Sequence, residues 1–531
     1  MSPIRAGARS RFAGRRLSAG RLALSLAAMV LVPTAVTAAA VVPGLPATVP
    51  GAAADGRWFA GYYDVTLESG EQLARSPLGD ADGAVLAFVV AAGDDDCTPT
   101  WGKAYSLDEA AATFELDRRV ERMRREGRPL AVSFGGAINT ELAAACSGVS
   151  ELTVAYRTVM DRYRIDVMDL DIEGAMLDDD GAATDRRGRA VAALQAERRS
   201  DGGSLDVWLT LPVAPQGLTE SGLTQVQRML DAGVDLAGVN LMTMNYGTDG
   251  TVAPMSSMSI DALTATAAQL RTIWRDRDLR LPPGGVWSLL GATPMIGQND
   301  VPGEVFSMDD ARALNEFASA EGVARLSMWA LNRDQTCGSN YPNVRTVAVS
   351  CSGIEQAGES FGVVLAEGYA GTPSARPALD DDHAVIADDP ATSPYPIWSS
   401  RSYYSAGVLV VWKGSVYISK WWNEDGPTPD DPSLDTDGSA WTYLGPVLED
   451  DAPFTLPTLP DGTYPEWSAA TLYDQGDFVL YNGTGYEARW WSQAKKPDRS
   501  VLDQDYSPWK LVTEVPPAED GPGEEEAPAA G

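Results

Sequence analysis

Histidine is all but absent from this sequence: His383 is the single one in 531 residues, inside a stretch rich in Pro, Ala and Asp. A Ser-His-Asp or Cys-His mechanism would lack its base, so nucleophilic catalysis of those kinds is excluded. Cysteine is scarce too. Cys97, Cys146, Cys337 and Cys351 match no zinc-ligand spacing and lie far from the histidine. Positive charge is outnumbered: 41 Lys and Arg face 74 Asp and Glu, for a formal net charge of −33. Polyanions repel such a surface, which makes nucleic acid or an anionic membrane an unexpected partner. A neutral or weakly cationic partner is compatible with it.

The N-terminus, "MSPIRAGARSRFAGRRLSAGRLALSLAAMVLVPTAVTAAAVV", is Arg-rich and then apolar from Leu22, with small residues at Ala38 to Ala40. That pattern predicts a signal peptide over 1–40 followed by a linker over 41–56. An uncleaved membrane anchor is the competing reading, since the apolar run nearly reaches spanning length. Pro33 and the dense alanines favour cleavage. The Arg15-Arg16 pair leaves the twin-arginine route open beside the general one. An even count of cysteines in an exported chain predicts two disulfides among Cys97, Cys146, Cys337 and Cys351. The mature protein is expected to be extracellular, free of membrane and monomeric.

The length suggests two to four domains. From Trp58 to about Tyr369, short apolar runs alternate with amphipathic helical stretches. The runs are "WFAGYYD", "AVLAFVV", "PLAVSFGGA", "IDVMDLDIEG", "LDVWLTLPV", "LAGVNLMTMNY", "GVWSLLGATPM" and "RLSMWALNRD". Between them lie patterns such as "SLDEAAATFELDRRVERMRREG", opened by a capping box of Ser106 and Glu109. Eight strand-like runs, each followed by a helix or long loop, predict an α/β fold of (β/α)8 barrel type over 57–370. A doubly wound open sheet is the alternative, but no GxGxxG or P-loop follows the first strand.

After a Pro-, Ala- and Asp-rich linker over 371–393, two aromatic segments repeat one another. "WSSRSYYSAGVLVVWKGSVYISKWW" starts at Trp398 and "WSAATLYDQGDFVLYNGTGYEARWW" at Trp467. Superposing them aligns Tyr404 with Tyr473, Tyr417 with Tyr486, and Trp421-Trp422 with Trp490-Trp491. Two copies of one small all-β module are expected, over 394–446 and 464–513, with "KGS" and "NGT" as hairpin turns. A linker over 447–463 joins them, and 514–531 forms an acidic, disordered tail. Adjacent strand residues point oppositely, so one Trp of each pair is a candidate core residue and the other an exposed platform for a sugar ring.

The fourth run holds the densest chemistry. "YRIDVMDLDIEG" places Asp166, Asp169, Asp171 and Glu173 within one apolar segment. On a strand, Asp169, Asp171 and Glu173 share a face, at intervals of roughly 6.5–7 Å. In a barrel that face is the interior, and Glu173 reaches the C-terminal end, where active sites form. Packed carboxylates cannot all ionise, so one keeps its proton near neutral pH and can serve as a general acid. A cation site or a plain acidic loop would use the same residues differently.

With these residues in view, "DVMDLDIEG" resembles the DxxDxDxE signature of glycoside hydrolase family 18, the chitinase family. "SFGGA" from Ser133 resembles its SxGG motif, "LMTMNYG" its sixth-strand segment, and "LSMWALNRD" its eighth-strand tryptophan. "GATPMIGQND" and "CTPTWG" are similar to a microbial subgroup that includes archaeal chitinases. The repeated segments resemble the chitin-binding modules of carbohydrate-binding families 5 and 12, with "ISKWW" and "EARWW" in place of AxWW. The first copy departs from the pattern at Ser419 and at Val408-Leu409.

The resemblance implies a retaining, substrate-assisted hydrolysis of β-1,4-linked N-acetylglucosamine through an oxazolinium ion, with no metal and no organic cofactor. It makes Glu173 the acid and base, Asp171 the partner of the acetamido N–H, and Asp169 the residue that holds Asp171 and shares its proton. Tyr246 would hydrogen-bond the acetamido carbonyl, unless that role is filled from elsewhere, since many members place Tyr-Asp where Met244-Asn245 stand. Trp329 would floor the pocket, with Met244, Asn245 and Asp300 as further substrate contacts, although Asp300 also fits as a helix cap. Ser133, Gly135 and Gly136 read as structural. Trp421, Trp422, Trp490 and Trp491 would bind insoluble chitin. An endo-acting N-acetylglucosaminidase and a catalytically silent chitin lectin are the alternatives.

Overall fold

The computed structural model describes residues 56–67, 76–79, 81–177, 181–248, 253–339, 347–373, 388–424, 428–430, 438–497, 502 and 506–512. The expected signal peptide, nearly all of the 41–56 linker, His383 and the acidic tail lie outside them. Among the described residues, no helix is long and apolar enough to cross a membrane.

Eight parallel strands close on themselves. β1 comprises Trp58–Phe59 and Gly61–Asp64, β2 Ala84–Gly93, β3 Leu130–Gly135, β4 Val167–Asp171, β5 Asp206–Ala214, β6 Leu236–Met242, β7 Leu290–Thr293 and β8 Arg325–Leu326. Each pairs in parallel with the next. The ring shuts because the two halves of β1 face opposite neighbours: Trp58 and Phe59 pair with β8, whereas Gly61–Asp64 pair with β2. Backbone N–H groups of Trp58, Ala60 and Tyr62 donate to Ala324, Leu326 and Met328, so the seam continues to the strand's end. A closed ring leaves no edge exposed.

Helices follow the strands and cover the barrel: α1 Leu107–Phe114, α2 Leu116–Arg125, α3 Val149–Tyr163, α4 Ala182–Ser200, α5 Glu220–Asp231, α6 Met255–Asp276, α7 Met308–Glu321 and α8 Phe361–Ala366. Their apolar faces and the outward strand residues form one core, in which Met168 and Leu170 of β4 are fully buried. Ser106 does cap α1 in a capping box with Glu109. The helical pattern that follows is not one helix, however. Glu115 takes a left-handed conformation, φ 51°, and splits it into α1 and α2.

The two repeats fold alike. In module 1, Leu409–Trp412, Ser415–Ser419 and Trp441–Pro446 form an antiparallel sheet, and Tyr403–Tyr404 pairs with Asn423–Glu424. Module 2 repeats this with Phe478–Tyr481, Thr484–Ala488 and Trp509–Val512, and with Leu472–Tyr473 against Ser492–Gln493. The hairpin tips are Lys413-Gly414 and Asn482-Gly483, all four at positive φ, as a two-residue type I′ turn requires. Module 1 sits against α2. Arg118 donates to Asp451 through both Nη atoms at 2.9 and 2.7 Å and to Glu115 at 2.8 Å, while Tyr395 of the module donates to Glu115.

Candidate active site at the mouth of the barrel

Polar residues that stand alone in apolar strands meet inside the barrel. Asp169 Oδ1 accepts from Arg325 Nη1 and Thr210 Oγ1, both at 2.6 Å. Its Oδ2 accepts from Ser133 Oγ at 2.7 Å and Tyr62 Oη at 2.8 Å. Asn240 ties Thr210 to Thr293 one strand further on. Every residue of this layer is shielded from solvent. Both Asp169 oxygens thus accept from donors on four other strands.

Asp171, one step toward the mouth, is treated differently by the fold. It is buried, and its Oδ1 has no hydrogen-bond partner. Burial pushes its pKa well above the ordinary carboxylate range; Glu173 and then Asp169 reinforce the shift and Arg325 opposes it. Glu173 continues the extended backbone past the end of β4, with φ −144° and ψ −179°. Burial raises its pKa as well, and the charge of Asp300 adds to the effect. The Asp171–Glu173 pair is thus biased toward holding a proton.

The cavity over this pair measures about 450 Å³ and opens at the C-terminal ends of the strands. Trp329 lines it, stacked on Phe88 at 5.5 Å between ring centroids and meeting Tyr62 edge-on at 6.0 Å. Met244, Asn245 and Asp300 line it too. Asn245 Nδ2 donates to Asp300 Oδ2 at 3.0 Å, and the Asp300 N–H donates back to Asn245 Oδ1 at 2.9 Å. This clasp gives Asp300 a wall position rather than a capping one; Ser307 caps α7.

Tyr246 is not brought to the cavity. Its side chain packs against the barrel's apolar core and its hydroxyl donates to Ser259 of α6 at 3.3 Å. β6 ends at Met242 and Asn245 is left-handed at φ 52°, so Tyr246 lies beyond the regular strand. Gly135, at φ 108°, is where a Cβ would fall 2.2 Å from the Asp171 carbonyl oxygen, so β3 can approach β4 only with glycine there. Ser133 is more than a small filler, since its hydroxyl holds Asp169.

Tyr62, Thr210, Asn240 and Arg325 escaped the sequence reading. Each is a polar residue inside an otherwise apolar strand run, and that isolation was the available signal. Among the described residues, no group of three or more His, Cys, Asp and Glu is arranged to hold a metal ion.

Outside the barrel mouth, both disulfides form, Cys97–Cys146 and Cys337–Cys351. In the modules, both members of each tryptophan pair are exposed, not one of each. The core positions belong instead to Trp441 and Trp509, which pack edge-on against Tyr404 and Tyr473. Lys420 lies over the ring of Trp421 and Arg489 over that of Trp490.

Fold and site together define a (β/α)8 barrel with a pair of carboxyls biased toward protonation at its mouth, followed by two small all-β modules. Residues 466–510 match carbohydrate-binding module family 5/12. The probable bifunctional chitinase/lysozyme of Escherichia coli (strain K12) is 34% identical over 286 residues, 53% of this chain and 31% of that protein. Endochitinase 11 of Metarhizium anisopliae is 33% identical over 284 residues, 52% of either chain. The crystal structure of the catalytic domain of hyperthermophilic chitinase from Pyrococcus furiosus aligns at 25% identity and TM-score 0.48, covering 60% of this chain and 96% of that one. The chain thus spans about a third and about half the length of these two curated relatives. The barrel region is similar to two chitinases, and residues 466–510 carry the match to the carbohydrate-binding family.

Proposed function

We propose that the chain is an exported, modular chitinase that cleaves β-1,4 bonds between N-acetylglucosamine units with retention of configuration. One observation carries the reading: Asp171 and Glu173, both pushed toward the protonated form, stand in line at the cavity mouth beside the Trp329 ring. Retaining glycosidases ordinarily place a nucleophilic carboxylate about 5–5.5 Å from the acid, and family 18 is an exception in which the substrate supplies the nucleophile.

In the proposed reaction, Glu173 gives its proton to the leaving glycosidic oxygen. The 2-acetamido oxygen attacks the anomeric carbon, forming an oxazolinium ion, while Asp171 accepts a hydrogen bond from the acetamido N–H and steadies the positive charge. Glu173 then takes a proton from the water that opens the ion. Asp169 acts at a distance, fixing the barrel interior beneath Asp171 through Arg325, Tyr62, Ser133 and Thr210. Trp329 offers its ring as the floor for one pyranose.

The leader-like N-terminus and the two disulfides support export, and the modules support attachment to an insoluble polymer, with the mature chain acting as a monomer. Release of reducing sugar from colloidal chitin tests the core of the proposal. Glu173→Gln should lower turnover at least about 100-fold while oligosaccharide binding persists. Substantial residual turnover would remove Glu173 from the acid role.

A further inference from the structure

The modules do not stand apart. Leu502 of module 2 packs into the small core of module 1 formed by Tyr404, Val408, Val410, Ala440 and Trp441. Its carbonyl accepts the Ser405 N–H of module 1 at 2.9 Å. Tyr506, 65% exposed, lies beside module 1's second tryptophan: the Tyr506 and Trp422 rings meet edge-on, 5.5 Å between centroids. On its other side Trp422 lies nearly parallel to Tyr403, at 16° and 6.0 Å. Three exposed rings from two modules therefore adjoin.

The repeat explains why the third ring is borrowed. With Trp441 aligned on Trp509, Gly438 stands in module 1 where module 2 has Tyr506. Module 1 has no ring of its own at that position. Module 2 keeps Trp491 exposed but has Leu472 where module 1 has Tyr403, and among the described residues no aromatic ring pairs with Trp491.

We propose that Tyr403, Trp422 and Tyr506 form one composite binding face, assembled only when both modules are present, for an uncharged β-linked N-acetylhexosamine chain. The proposal rests on the chitinase reading above. Rings in a row present flat apolar area to the C–H faces and acetamido methyls of successive sugars. A neutral polymer is also the class of partner a chain of net charge −33 does not repel.

The test is an adsorption isotherm of the full chain on insoluble chitin. Tyr506→Ala should weaken binding roughly fivefold to tenfold, and Tyr506→Phe should bind like the parent. Tyr506→Ala and Trp422→Ala combined should lose less than the product of the single losses, because both empty one face. Leu502→Ser, which leaves all three rings of the face in place, should weaken binding by loosening the contact between the modules, with circular dichroism confirming that the chain remains folded. Parent-like binding by both Tyr506→Ala and Leu502→Ser, or strictly multiplicative losses with Trp422→Ala, overturns the composite face alone. A parent chain that neither binds nor hydrolyses chitin overturns it together with the chitinase reading.

Discussion

Arg325 and Asp169 form an ion pair at 2.6 Å in the barrel interior, with neither side chain exposed to solvent at all. Arg325 comes from β8 and Asp169 from β4, so the pair ties opposite sides of the ring together. Removing one partner of such a pair leaves an uncompensated buried charge, at a cost of roughly 3–5 kcal/mol. Arg325→Met should lose stability of that order in chemical denaturation, and an unchanged midpoint would show that the pair does not hold the ring.

Asp300 lines the same cavity as Glu173 and raises its pKa. Replacing it with Asn removes a negative charge, which makes the ionised form of Glu173 less costly and lowers its pKa. Glu173, the proposed general acid, then loses its proton at lower pH. The alkaline limb of kcat/KM on a soluble chitooligosaccharide should move toward acid in Asp300→Asn, and a limb that stays in place contradicts the coupling.

At the other end of the barrel, burial pushes Asp206 up to about 6, helped by the charges of Asp166 and Asp235. The folded state then holds a proton that the unfolded chain, with an ordinary value of about 3.9, has released. The stability from this group is fully present below the unfolded value and is lost as pH rises through about 6. Asp206→Asn should flatten the fall in melting temperature across that window, and an unaltered slope would refute it.

Tyr246 lies outside the cavity, bonded to Ser259. Tyr246→Phe should leave kcat/KM unchanged and cost about 0.5–1.5 kcal/mol of stability, the usual worth of one hydrogen bond. A collapse of kcat would return its hydroxyl to the reaction.

The strand count, the interior placement of Asp169, Asp171 and Glu173, and the capping box at Ser106 were legible because each depends on local periodicity. The carboxylates on β4 announce themselves by alternation within one segment. Their counterparts do not: Tyr62, Thr210, Asn240 and Arg325 converge on Asp169 or its partners from four strands, and convergence depends on register around a closed ring. Tyr246, assigned by resemblance, lies beyond Met242 and past the left-handed Asn245, where a motif's residue types do not fix the direction of a side chain. The tryptophan pairs were misread for a similar reason. Both pairs lie just beyond the strands Ser415–Ser419 and Thr484–Ala488, where facing no longer alternates.

The left-handed turn at Glu115 sets α2 against module 1, and Arg118 is gripped from both sides of that junction. A barrel clamped in this way keeps a fixed bearing toward the aromatic faces of the modules. If the chain works on a solid polymer as proposed, such a frame gives up reach for repeatability, because each landing offers the cleft the same strip of surface.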